Sequence, residues 1–202
     1  MRASKVEIQK VLARNGRGAA LKMSIQEAWA ELQTDYPQRG WWRRKGTRAA
    51  IVWEHTVKNA IDALADDAVV VPHNDTVSLI FDDRVLVRVK KADLELKSRN
   101  YPTRLAQLFH VPEADLFGYE ALQRVEIVYV LNRFETEIDW IGIVARDGHS
   151  VIWQFELEDV PANVEILPLD ASTQEAGEKT AESVAKLKKG VSEEREKNNK
   201  DT

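Results

Sequence analysis

The apolar residues of this chain change their spacing once, from a period near 3.6 to a period of 2, and that change limits the fold more than any single motif. Val6, Ile8, Val11 and Leu12 recur at helical spacing before two glycines in "NGRG" at 15 to 18 break the pattern. Ser24 with Glu27 forms a capping-box signature. The stripe Ile25, Ala28, Trp29 and Leu32 follows it, and Tyr36-Pro37 stops the helix. From Thr47, apolar Ala50, Trp53, Val57, Ala60, Ile61 and Leu64 predict a helix ending near Asp66, with Arg48, Glu54, Lys58 and Asp62 on its other side.

Beyond residue 76 the pattern alternates. Val77, Leu79 and Phe81, then Val85, Val87 and Val89, read as two strands joined by an Asp82-Asp83-Arg84 hairpin. Residues 125 to 132, 137 to 146 and 150 to 159 read as three more strands, the last two joined through Asp147-Gly148. The stretch between, from Asn100 to Leu122, holds two prolines and a glycine, with a short helix expected over Thr103 to Phe109. With no long crossover helix between strands, the expected architecture is α+β: N-terminal helices packed on an antiparallel sheet. The expected boundaries are a basic N-terminal extension over 1–22, a globular domain over 23–168 and a charged tail over 169–202. From residue 171 the tail holds no aromatic side chain and three Val, Leu or Ile residues, too few to offset its ordering entropy. It is expected to be disordered or transiently helical, and deleting it to leave domain stability unchanged.

Charge is unevenly divided. Residues 1 to 50 hold eleven Lys/Arg against four Asp/Glu, while residues 51 to 170 hold eleven against twenty-two. The basic part must meet something anionic, either nucleic acid, a partner, or the acidic part of this same chain. The absence of cysteine removes disulfides, zinc-thiolate sites and cysteine nucleophiles. No stretch has the length and apolarity of a signal sequence or a membrane span, so the expectation is a soluble, cytoplasmic protein without membrane contact.

Catalytic patterns are sparse. His55, His73, His110 and His149 are not spaced as a helical metal pair, and no Gly-rich phosphate loop, P-loop lysine or nucleophile elbow is present. His55 reads as a solvated partner of Glu54. No cofactor, metal or catalytic residue is assigned, and catalysis is left open. A restriction-type nuclease would need an acid on one strand and Asp/Glu-x-Lys on its neighbour; Asp82 or Asp83 with Glu95-Leu96-Lys97 is a weak match to that arrangement.

The most distinctive short stretch is "QRGWWRRKGTR" at 38 to 48, which carries Arg39, Trp41, Trp42, Arg43, Arg44, Lys45 and Arg48 with no acid. It lies in the connection between the second and third helices, so the two indoles need not point the same way, and one is expected to be buried. Exposed tryptophan with arginine stacks bases and pairs with phosphates. The same residues are enriched at protein interfaces. Both partners stay open at this point.

Residues 77 to 157 carry a strand ending "RVKK" (Arg88, Lys90, Lys91), then "NYPT" (Asn100, Thr103), "FGYE" (Phe117, Gly118, Tyr119) and "VIWQFEL" (Trp153). This succession resembles a family of uncharacterised bacterial and prophage proteins often encoded beside a helix-turn-helix metallopeptidase of the phage-repressor-cleaving kind. The resemblance implies one component of a toxin-antitoxin or phage-defence module, the toxin role before the neutralised-partner role, acting through a partner protein from the adjacent gene. Within it, Arg88, Lys90, Tyr119 and Trp153 are expected to form the shared surface. The alternatives are a nucleic-acid-binding module using residues 38–48 and the metal-dependent nuclease.

Overall fold

The computed structural model describes residues 3–73, 76–98, 109, 117–118, 122–148 and 150–159. The described residues all belong to one compact unit, Met1–Val164. Three helices, α1 (Lys5–Ala13), α2 (Arg17–Asp35) and α3 (Lys45–Leu64), precede six strands. These are β1 (Val69–His73), β2 (Thr76–Phe81), β3 (Val85–Ala92), β4 (Gln123–Leu131), β5 (Ile138–Asp147) and β6 (Ser150–Glu156). The sheet runs in sequence order from β1 to β6. The fold is therefore α+β, as the change of period implies. No helix among the described residues is long and apolar enough to cross a membrane.

Between α1 and α2, Asn15 (φ 50°) and Gly16 (φ 70°) are both left-handed, a conformation that asparagine and glycine tolerate best. The chain turns there and α2 starts at once. Ser24 is consequently not an N-cap: it lies inside α2, and its Oγ donates to the Ala20 carbonyl at 2.8 Å. The capping-box signature lost to burial, since Leu21, one turn earlier, is needed in the core. For the same reason the expected boundary at residue 22 falls inside a helix. Ile8 and Leu12 are fully buried in the main core, so the basic N-terminal segment is integral to the domain. In α3 the buried line is Val52, Thr56, Ala60 and Leu64, rotated from the expected stripe.

One side of the sheet meets the helices. Val85, Val87 and Val89 of β3, Val125, Ile127 and Tyr129 of β4, and Ile141 and Ile143 of β5 share a single core with Ile25, Leu32, Val52 and Ala60. The β2–β3 hairpin forms as expected, with Phe81 paired to Val85 and with Asp82 and Asp83 at positive φ, as a right-handed strand twist requires. Strand β1 was not expected. It is an edge strand, the place where Pro72, which lacks an N–H, is tolerated.

A larger departure concerns β3 and β4, which pair in parallel from Val85↔Gln123 to Ala92↔Val130, so the sheet is mixed and not the antiparallel meander expected. Parallel neighbours need a connection that returns along the full strand. The residues 93–122 span that distance without a crossover helix of the usual length being legible in the sequence. The expected helix over Thr103 to Phe109, apart from Phe109 itself, and the expected tail over 169–202 lie outside the described residues.

Candidate functional site

Two places gather the residues singled out by sequence. The first is the corner between α2 and α3. Pro37 ends α2 and opens a single 3-10 turn, Pro37–Trp41, which Arg39 fastens by donating Nη1 to the carbonyls of Gln33 (2.8 Å) and Tyr36 (3.3 Å). Trp42 folds inward, edge-on to Tyr36 at 5.8 Å between ring centroids, and packs against the main core. Trp41 points outward and is 87% exposed. The expectation that one indole is buried is met only in part, since Trp42 is half-buried.

The basic residues of the corner divide in two. Lys45 and Arg48, at the start of α3, bind Glu135 in the β4–β5 turn at 3.2 and 3.0 Å, and Lys91 binds the same carboxylate at 3.1 Å. Burial opposes ionisation of Glu135, but the bonds from Lys91 and Lys45 overcome it and hold the carboxyl below its ordinary range. Arg43 and Arg44 are exposed and have no side-chain partner among the described residues. The turn itself is rigid: Asn132 accepts from the Thr136 N–H at 2.9 Å and donates to its Oγ1 at 2.7 Å, while Gln33 of α2 donates to the Thr136 carbonyl at 3.2 Å. In this turn Phe134 is 79% exposed and Arg133 is exposed beside it. A cavity of about 10 Å³ between Trp29, Arg48, Tyr129 and Glu135 has room for one water and not for a ligand.

The second place is the sheet face away from the helices. Arg88, Lys90, Arg124, Glu126 and Arg146 all belong to it, by the alternation of β3 and β4 and by the bonds they form. Glu126 is buried and its Oε2 accepts from Arg146 Nε at 2.7 Å and from Ser98 Oγ at 2.9 Å. Arg146 also donates to the Leu96 carbonyl, which fixes the chain just after β3 over this face. Arg88 is 5% exposed, lies over the Phe109 ring at 4.3 Å and donates Nε to Ser78 Oγ at 3.0 Å. Its Nη2 is buried without a hydrogen-bond partner. Burial pushes the Arg88 guanidinium down to about 10, with nearby Glu126 opposing and Arg124 adding to the shift. Burial likewise lowers Lys90, with Glu126 opposing; its side chain is half-buried and makes no hydrogen bond among the described residues.

The expected shared surface is not assembled as a unit. Arg88 is enclosed, and Trp153 lies on the opposite face of the sheet, where its Nε1 donates to the Ala3 carbonyl at 2.8 Å and its ring stacks on Phe155. Tyr119, Asn100 and Thr103 lie outside the described residues, as do His110 and His149. The nuclease constellation is corrected more sharply. Asp82 precedes β3 and Glu95 follows it, so roughly 23 Å of strand lies between them and one ion cannot join them. Asp82 is moreover engaged by Arg17 and Arg14 at 2.8 Å each, and Glu95 by Lys97 at 2.5 Å. Among the described residues no group of three His, Asp or Glu is placed to hold a metal.

His55 pairs across helices with Glu31 of α2 and not with Glu54, while its Nε2 lies 3.4 Å from the Tyr36 hydroxyl. The uneven charge of the chain also finds an internal explanation. Arg14, Arg17, Lys22, Lys45 and Arg48 all bind carboxylates from the acidic part. Sequence reasoning missed Phe134, Glu126 and Arg146; the charged Arg124 and Glu126 at alternate positions of an otherwise apolar strand were the available signal. No family model matches the chain, and neither a curated protein nor a solved structure is significantly similar to it.

Proposed function

We propose that the protein acts by binding another protein, as one component of a bacterial or prophage module of the toxin-antitoxin or phage-defence type, with the toxin role the leading one. The observation that carries the binding reading is a pair of exposed aromatic side chains flanked by exposed arginines, Trp41 with Arg43 and Arg44 before α3 and Phe134 with Arg133 in the β4–β5 turn, on two segments that Lys45 and Arg48 tie together through Glu135. Large aromatic side chains presented on rigid supports lose little conformational entropy on binding, and arginine beside them supplies directed hydrogen bonds; such groups dominate interface energies. The resemblance of residues 77 to 157 supports the module.

Co-expression with the product of the adjacent gene tests this reading. The two proteins should co-purify, and Trp41→Ala with Phe134→Ala should abolish capture while leaving the melting temperature unchanged. Capture unaffected by the double variant would reject the corner as the contact. Growth without arrest on expression alone, combined with no co-purification, would reject the module.

A second reading, nucleic-acid binding, is favoured by the absence of acid partners around Arg43 and Arg44. It requires affinity for labelled DNA or RNA that falls steeply between about 50 and 200 mM salt and shows little sequence preference. Binding that ignores salt would remove it.

A further inference from the structure

Among the described residues, Arg88, Lys90 and Arg146 share the far face of the sheet with one buried carboxylate, that of Glu126. Glu126 lies on β4, and its Oε2 is already occupied by Arg146 and Ser98. Arg88 and Lys90 project from the same face of β3 and make no ion pair among the described residues. Taking a guanidinium and an ammonium out of water costs several kcal/mol each unless counter-charge and hydrogen-bond acceptors replace the lost hydration. Glu126 acts on both cations through space without pairing with either, and Arg88 Nη2 is buried with no acceptor. Its orientation is nevertheless fixed on two sides, by the Nε bond to Ser78 and by the Phe109 ring beneath the guanidinium. A cation held in one pose with a donor left open is arranged to receive an acceptor.

We propose that Arg88 and Lys90 form a binding site for a dianionic oxyanion of the phosphate class. Residues two apart on one face of a strand are spaced by about 6.6 Å, a gap that a single tetrahedral anion bridges with separate oxygens. A phosphate group carries about −1.5 to −2 charge near neutral pH and matches two cations that form no ion pair among the described residues, which a monocarboxylate does not. Arginine supplies the directed donors and lysine the mobile point charge. Lys90, half-buried where Arg88 is enclosed, marks the solvent side of the site. Free phosphate and a phosphate monoester share this chemistry.

The full-length protein is melted in chloride, acetate, inorganic phosphate and glycerol phosphate at matched ionic strength. Phosphate should raise the melting temperature by several degrees over chloride, acetate should not, and the increment should vanish in Lys90→Met and in Arg88→Met. Lys90→Met should be no less stable than the wild type in chloride, because a half-buried charge that forms no ion pair among the described residues has been removed; this variant breaks no hydrogen bond and serves if Arg88→Met does not fold. A larger increment with glycerol phosphate than with inorganic phosphate assigns the site to a monoester, and the reverse order to free phosphate. An increment retained in Lys90→Met, an equal increment in acetate, or none in the wild type overturns the proposal.

Discussion

Replacing Arg17 with methionine should destabilise the protein by about 2–4 kcal/mol, a large part of the 5–15 kcal/mol typical of a folded domain. Arg17 is buried at the start of α2 and joins three segments distant in sequence. Its Nε and Nη2 donate to Asp67 beyond α3 at 2.6 and 2.7 Å, Nη2 donates to Asp82 in the β2–β3 turn at 2.8 Å, and Nη1 donates to the Val11 carbonyl at 3.1 Å. Its guanidinium also lies 5.3 Å from the centre of the Phe81 ring. Removing one partner from a fully buried ion pair costs about 3–5 kcal/mol. The side chains of Asp67 and Asp82 are 22% and 24% exposed, so water takes over part of their solvation and the figure is reduced. Methionine keeps an unbranched apolar side chain in the buried position, so the loss is that of the polar bonds and of the guanidinium contact with Phe81. Arg14 provides the contrast: it pairs with the same Asp82 but is 63% exposed, and Arg14→Ala should cost about 0.5 kcal/mol or less. Urea unfolding of the wild type and both variants, with free energies compared at constant m-value, reads the difference. Equal losses in the two variants, or an Arg17→Met loss under about 1 kcal/mol, would refute the argument that burial decides the strength of this clamp.

The same clamp sets the acid response. Hydrogen bonds from Arg17 hold the Asp67 and Asp82 carboxyls below their ordinary range, with burial opposing. Because the folded values lie below the unfolded ones, this stabilisation is complete above the unfolded value, about 3.9, and is lost as pH falls through the folded values. Wild-type urea midpoints should therefore drop more steeply below about pH 5 than those of Arg17→Met; parallel curves would contradict the linkage. Gly142→Ala should destabilise by about 2–3 kcal/mol in thermal melts. The added Cβ would lie 2.3 Å from the Phe155 carbonyl oxygen in the neighbouring strand and 2.4 Å from the Trp140 ring, and a wild-type melting temperature would mean that the strands part easily. Trp42→Ala should cost about 2 kcal/mol, since its half-buried ring packs on Tyr36 and the core, while exposed Trp41→Ala should stay within about 0.5 kcal/mol. Equal effects would mean that the two indoles do not divide as inside and outside.

Local chemistry made several features legible before any coordinates. The asparagine-glycine break after α1, the proline after α2 and the Asp-Asp-Arg hairpin each depend on backbone preferences that act within a few residues. Alternation likewise placed β2 and β3, because a strand with one face against helices alternates whatever its neighbours are, while β4, buried along its whole length, reads as an apolar run. Where local and distant demands conflicted, the distant ones prevailed. Ser24 looks like a helix start, yet the core requires Leu21 and Arg17 in the same helix. β1 carries no alternation because it is a short edge strand.

The amino-acid sequence by itself therefore determined the class of the fold, the helical character of the N-terminal segment and the position of an aromatic, basic stretch between α2 and α3, since these follow from period, turn residues and composition. Only the tertiary structure decided what those residues do. Strand direction follows from where a long connection lands, so the parallel pairing of β3 with β4 could not be read from either strand. A charge has no fixed role along the chain: Lys45 and Arg48 lie in the same basic run as Arg43 and Arg44, but only the first two reach Glu135, ninety residues and a sheet away. Arg88 is enclosed with an open donor through packing between segments far apart in sequence. Distance in space, which sets both desolvation and Coulomb energy, is the quantity that a linear pattern does not contain.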